Sequence, residues 1–169
     1  GFGGGAAGGG GMGAGGAIFV QAGASLTIQD GGFSNNQTQG GSGDSLGLPF
    51  TDGIAAGNDL FLGGDVTFSV TGTNVVSLNG VGGGAADPLR EGDPNAQGGL
   101  IKTGSGMLSL SGVLTYTGGT VLQEGTLVLT SGVESSTAQY VVEGGTLDVQ
   151  ASDLTISILS QSGGKVELG

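Results

Sequence analysis

Apolar residues in this chain alternate with polar ones over short runs, and the runs themselves recur. The clearest is Thr120-Val121-Leu122-Gln123-Glu124-Gly125-Thr126-Leu127-Val128-Leu129: two apolar residues, a turn containing Gly, then apolar positions two apart. The phrase returns at Tyr140-Val141-Val142-Glu143-Gly144-Gly145-Thr146-Leu147-Asp148-Val149 and, more loosely, from Ile158 to Leu168. Earlier copies lead from Ile18-Phe19-Val20 to Leu26-Thr27-Ile28, from Leu60-Phe61-Leu62 to Val66-Thr67-Phe68, and from Leu100-Ile101 to Leu108-Ser109-Leu110. A side-chain period of two belongs to a strand, because successive side chains of an extended chain point to opposite faces.

The first inward residue of each second strand gives the column Leu26, Val66, Leu108, Leu127, Leu147 and Val166. Its spacings are 40, 42, 19, 20 and 19, and the long ones read as two periods. Between the core positions stand Ser25, Thr27, Asp65, Thr67, Ser109, Thr126, Asp148, Lys165 and Glu167, with Val128 as the exception. A fixed period near 20 is the mark of a solenoid, in which each coil buries its apolar face only by stacking on a neighbour. The pattern therefore predicts an all-β fold, a single-stranded parallel β-helix of about 20 residues per coil.

Two stretches interrupt the pattern. Residues 37–58 are rich in Gly, Ser, Asp and Thr, and residues 81–97 carry Pro88 and Pro94 among Asp87, Arg90, Glu91 and Asp93. Proline withholds a ladder donor, so both stretches are expected as loop insertions in one solenoid domain over 15–169. Residues 1–14 form a Gly-rich N-terminal segment, and the absence of a strict three-residue period excludes collagen. From Gly98 to Gly169 the coils follow without interruption.

Composition sharpens this. The 169 residues include 42 Gly but only 3 Pro, with 36% hydrophobic residues, too apolar and too regular for a disordered chain. Glycine is expected at the sharp corners, where positive φ is needed. With no Cys, stacking must stabilise the fold without disulfides. The net charge of −11, with Arg90, Lys102 and Lys165 as the only basic residues, argues against nucleic acid or an anionic membrane as partner. No apolar run is long enough to span a membrane and no basic leader opens the chain. Opening on Gly1-Phe2-Gly3 and stopping at Gly169 just after a strand, it is expected to be part of a longer protein, with open coils at its ends.

Two stretches carry a family likeness. Gly98-Gly99-Leu100-Ile101-Lys102-Thr103-Gly104-Ser105-Gly106-Met107-Leu108-Ser109-Leu110-Ser111-Gly112, continuing through Tyr116-Thr117-Gly118-Gly119-Thr120 to Gly125-Thr126-Leu127-Val128-Leu129, resembles the passenger-associated repeat of bacterial autotransporters. Gly15-Gly16-Ala17-Ile18 followed by Phe33-Ser34-Asn35-Asn36 is similar to the paired GGAI and FxxN motifs of polymorphic outer-membrane proteins. The resemblance implies a right-handed β-helix exported across the outer membrane and displayed at the cell surface, often for adhesion. It also implies structural roles for Gly15, Gly16, Ala17, Ile18, Phe33, Asn36, Leu108 and Leu127, and no catalytic one, while the repeat period gives Leu147 and Val166 the same structural place in the core column.

Candidate chemistry is sparse. Gly43-Asp44-Ser45-Leu46 spells a short esterase motif, but a nucleophilic serine needs a base and the chain has no His. Without His or Cys, ordinary zinc and copper sites are also excluded. Gly11-Met12-Gly13-Ala14-Gly15-Gly16 fits a phosphate-binding pattern with neither the preceding strand nor the following helix. Asp44, Asp52, Asp87 and Asp93 read as solvated loop carboxylates rather than calcium ligands. Asp65 and Asp148 are the outward carboxylates that a polysaccharide-acting enzyme would need to pair. Asn35 and Asn36 are expected to cap a turn, Phe19, Phe61 and Phe68 to lie in the core, and Tyr116 and Tyr140 to pack against neighbouring turns.

These readings converge on a non-enzymatic extracellular stalk of an autotransporter-like protein, without cofactor. Its expected partners are a host or neighbouring cell surface or a glycan. The alternatives are a self-assembling filament or sheath, joined end to end through open coils, and a polysaccharide-binding or polysaccharide-cleaving β-helix.

Overall fold

A computed structural model describes residues 13–42, 53, 55–83, 97–131, 139–150, 154 and 156–169. Among them the chain forms fifteen strands and no helix. These are β1 (Gly13–Ala14), β2 (Ile18–Val20), β3 (Ser25–Gln29), β4 (Ala55–Ala56), β5 (Leu60–Leu62), β6 (Asp65–Ser69), β7 (Val75–Gly83) and β8 (Leu100–Thr103). There follow β9 (Met107–Leu114), β10 (Thr120–Leu122), β11 (Thr126–Ser131), β12 (Gln139–Val142), β13 (Thr146–Val149), β14 (Ile158–Gln161) and β15 (Lys165–Leu168).

Every pairing is parallel. A six-stranded sheet runs in the order β14-β12-β10-β8-β6-β3, a seven-stranded sheet in the order β15-β13-β11-β9-β7-β5-β2, and β1 pairs with β4. Both large sheets therefore add strands strictly in chain order, as a parallel β-helix does. The seven-stranded sheet bends. Val75 to Asn79 of β7 lie beside Met107 to Ser111 of β9, while Val81 to Gly83 lie beside Leu60 to Leu62 of β5, with the register shifting between Asn79 and Val81. One coil thus presents three faces.

The core is a set of inward columns, one residue per rung. On the six-stranded sheet these are Leu26-Val66-Leu100-Thr120-Tyr140-Leu159 and Ile28-Phe68-Lys102-Leu122-Val142-Gln161. On the second face they are Val76-Leu108-Leu127-Leu147-Val166 and Leu78-Leu110-Leu129-Val149-Leu168. Val66, Phe68, Leu100, Leu108, Leu110, Leu127, Leu129 and Leu147 are wholly buried, so the apolar residues of alternating strands meet across the coil. A leucine removed from water in this way contributes about 1.5–3 kcal/mol.

This register corrects the column expected from sequence. Leu26 and Val66 pair with each other and then with Leu100 on the six-stranded sheet, whereas Leu108, Leu127, Leu147 and Val166 share the other one. The 40 residues from Leu26 to Val66 are one rung, not two, because the two are direct register partners. The surplus lies between β3 and β5, and its last part is not loop: Ala55 and Ala56 of β4 pair with Gly13 and Ala14 of β1. β7 also runs through Gly83, two residues past the expected start of the second insertion at Val81.

The corner between the first two faces explains part of the glycine content. Gly104, Gly125, Gly145 and Gly164 stand one per rung with φ of 73°, 76°, 74° and 64°. A Cβ on Gly125 would lie 2.3 Å from the Gly104 carbonyl oxygen, and one on Gly145 2.3 Å from that of Gly125. Rung spacing of about 4.8 Å leaves no room there for a side chain.

Candidate functional site

Polar side chains inside a solenoid need partners, and among the described residues all but the buried Thr117 hydroxyl find them. Lys102 occupies an inward position between Phe68 and Leu122 and is wholly buried. Its Nζ donates to the carbonyls of Thr103 at 2.7 Å, Gly104 at 2.5 Å and Glu124 at 3.1 Å, using all three ammonium protons. Burial pushes its pKa below the ordinary 10.5, and the nearby Glu124 carboxylate opposes that. Gln161, in the same column, donates to the Gly164 carbonyl at 2.9 Å.

The GGAI and FxxN residues converge on one turn. Gly15 and Gly16 donate backbone N–H groups to the carbonyls of Ala56 and Gly57 at 3.2 and 3.1 Å, and Ala17 and Ile18 both donate to that of Asp59. A Cβ on Gly16 would lie 2.0 Å from the Asn58 carbonyl oxygen, so glycine is required by close approach. Asn36 donates its amide to Asp59 Oδ1 at 2.9 Å, and Asn79 donates its backbone N–H to Oδ2 at 2.5 Å. The buried Asp59 carboxylate therefore links the first rung to the second. Asn35, with φ of 57°, makes the bend that sets Asn36 in place, and Phe33 packs edge-on against Phe68 with centroids 6.1 Å apart.

Asp30 makes a similar link on the outside. It accepts from the backbone and hydroxyl of Thr71, both at 2.8 Å, and the backbone bond leads the causes that hold its pKa below the ordinary 3.8.

Tyr116 and Tyr140 are buried, as packing against turns requires. Their hydroxyls bond to each other, and the Tyr116 hydroxyl also lies 2.5 Å from Thr120 Oγ1. Burial raises both pKa values above the ordinary 10.0. A group whose folded pKa is raised stabilises fully below its unfolded pKa and loses that contribution as pH rises towards the folded value. With only two Tyr and no Trp in the chain, the expected result is simple to read. Tyrosinate absorbance should stay flat past pH 10, then rise together with loss of far-UV circular dichroism; an independent ionisation near pH 10 in the folded protein would contradict the burial.

Phe61 and Phe68 are fully buried, as expected of core residues, whereas Phe19 is only half-buried and stacks face to face on Phe61 with centroids 5.2 Å apart. Val128, the apolar exception among outward positions, is buried as well.

Among the described residues the two candidate outward carboxylates stand apart. Asp65 lies on the six-stranded sheet and accepts from the Gly99 N–H at 2.9 Å, while Asp148 lies on the seven-stranded one and accepts from Gln150 at 2.7 Å. The two outward residues that glycan chemistry would pair therefore stand on different faces. Among the described residues no three carboxylates gather where a cation would sit. Ser45, Asp44, Asp52, Asp87, Asp93, half of the 37–58 stretch and most of the 81–97 stretch lie outside the described residues.

At the far end of the stack, β14 and β15 are the last strands of their sheets. Leu159 and Leu168 continue the inward columns there but are 46% and 76% exposed.

Sequence reading misses Lys102, which charge alone marks as solvated. The signal is its place, inward by alternation from Leu100.

Comparison with known proteins agrees with this architecture. Residues 100–129 match the model of the passenger-associated-transport-repeat family. Over 135 residues, 76% of the chain, the sequence is 35% identical to the adhesin BmaC autotransporter of Brucella suis biovar 1 (strain 1330). The matched stretch spans 4% of that protein's length. No solved structure matches. The chain thus carries an autotransporter passenger repeat, and with it the location of a passenger: the cell surface, reached by export across the outer membrane.

Proposed function

We propose that this chain is a segment of a rigid, non-enzymatic β-solenoid stalk that extends from a bacterial surface and serves in adhesion. The observation that carries the reading is the strict chain order of both large sheets, which lengthens the molecule by about 4.8 Å per rung. The use of interior polar groups on backbone partners supports it, since Lys102, Asp59 and the tyrosines are all spent on holding rungs together. The relative's name as an adhesin supports the adhesive part. On this reading the stalk presents the loops within 37–58 and 81–97, the second starting only after β7 ends at Gly83, to a host or neighbouring cell or to its glycans.

One observation favours a second reading. Both large sheets grow by one parallel strand per rung, and coils of separate copies can stack end to end in the same way, giving a filament. The two readings separate in one experiment: solution mass and electron microscopy of the purified chain over a range of concentrations. Short single rods of monomer mass are expected for a stalk segment, and fibres that grow with concentration would replace it by a filament subunit. Adhesion is tested with beads coated by the chain. Binding to host or bacterial cells above that of beads bearing unfolded protein is expected, and equal binding would remove the adhesive role while leaving the stalk.

A further inference from the structure

The turn after β8 is one residue longer than the turn stacked upon it. Eight residues separate Leu100 from Leu108, while seven separate Thr120 from Leu127, although Leu100 pairs with Thr120 and Leu108 with Leu127. Two turns of unequal length cannot match each carbonyl of one to an N–H of the other. Where lengths agree the backbone manages alone: Thr146 donates to the Gly125 carbonyl and Lys165 to that of Gly145, both at 2.8 Å. At the mismatched corner, the carbonyls of Thr103 and Gly104 below and Glu124 above converge instead on the ammonium of Lys102.

The structure assigns to this corner a cation site for a primary ammonium, built from the main-chain carbonyls of Thr103, Gly104 and Glu124 and filled from within by Lys102. Three acceptors at 2.5–3.1 Å match the three protons of an ammonium, and no carboxylate oxygen is among them. The charge is therefore held by carbonyl dipoles, and the side chain acts as a tethered ligand that corrects a mismatch between two rungs. A methyl group in its place would remove the ammonium donor from the Gly104 and Glu124 oxygens and leave the Thr103 oxygen with only the Val70 N–H at 3.1 Å.

Chemical rescue tests this. Lys102→Ala deletes the side chain beyond Cβ, so n-propylammonium is the matching free ligand and n-propanol its uncharged control. The variant is expected to melt lower by on the order of 5 °C. Propylammonium should recover most of that loss while leaving the wild type unchanged, and propanol should recover little. Equal rescue by propanol, or no rescue by the amine, would overturn the site, as would a Lys102→Met protein that melts with the wild type. Should Lys102→Ala fail to fold, the wild-type chain supplies the test through a lysine-acylating reagent and peptide mass spectrometry. Lys165, whose side chain is 65% exposed, should be acylated with Lys102 protected until the fold melts; equal labelling of the two in the folded chain would overturn the assignment.

Discussion

Leu127→Asp is expected to abolish the cooperative fold of the C-terminal coils. Leu127 is fully buried, with Leu108 below and Leu147 above it in the same column. Loss of its burial alone costs about 2–5 kcal/mol, the range for leucine truncated in a core. The carboxylate is worse still, because an ionised group without a partner in an apolar column costs several kcal/mol more or takes up a proton. Together these approach the roughly 5–15 kcal/mol that stabilises a whole domain. Rungs also contact only their neighbours, so a break in one uncouples those on either side. Circular dichroism should show loss of most β signal at pH 7, with partial recovery near pH 4 as the aspartate is neutralised. A melting curve equal to that of wild type would place Leu127 outside the core and invalidate the register. Thr126→Asp, one residue away and half exposed, is the control expected to melt close to wild type.

The success and failure of sequence reading have the same cause. Alternation identifies which residues of a strand point inward, and Leu108, Leu127, Leu147 and Val166 do share a column. Alternation does not say which face of the coil a strand occupies, because Leu26-Thr27-Ile28 on the six-stranded sheet and Leu108-Ser109-Leu110 on the seven-stranded one carry the same short apolar-polar-apolar run. Leu26 and Val66 therefore fall outside the column that alternation assigns them, and the insertion between β3 and β5 mimics an additional coil in length. Phe61 and Phe68 are legible as core from apolar character alone, while Phe19, at the first rung, is only half-buried against Phe61. Lys102 is legible in principle. It follows Leu100 by two positions in a strand whose other inward member is core, and only the expectation that charge is solvated hides it. The Asp59 link is not legible, because it depends on Asn36, 23 residues earlier, meeting the carboxylate in space.

Gly125→Ala should strongly destabilise the stacked corner, and its cost has two separable physical origins. The first is backbone strain, since φ of 76° places an L-residue in the left-handed region at about 1–2 kcal/mol. The second is rung spacing: the new Cβ would lie 2.3 Å from the Gly104 oxygen, 2.4 Å from the Gly106 oxygen and 2.8 Å from Lys102 Nζ. Gly23 and Gly72 isolate the strain, having φ of 77° and 60° but nothing within 4 Å of an added Cβ. Gly23→Ala and Gly72→Ala are therefore expected to lose about 1–2 kcal/mol. Gly125→Ala should lose about 3–5 kcal/mol, lowering the melting temperature by on the order of 10 °C, because overpacking adds to strain. Relief would require the rungs to part, which breaks the Thr126 and Thr146 bonds to the carbonyls of Gly106 and Gly125. If all three variants melt together, strain alone accounts for glycine at these corners and close stacking does not. A larger loss at Gly125 instead makes the corner glycines the residues that fix how closely coils stack, and hence the length of stalk each coil contributes.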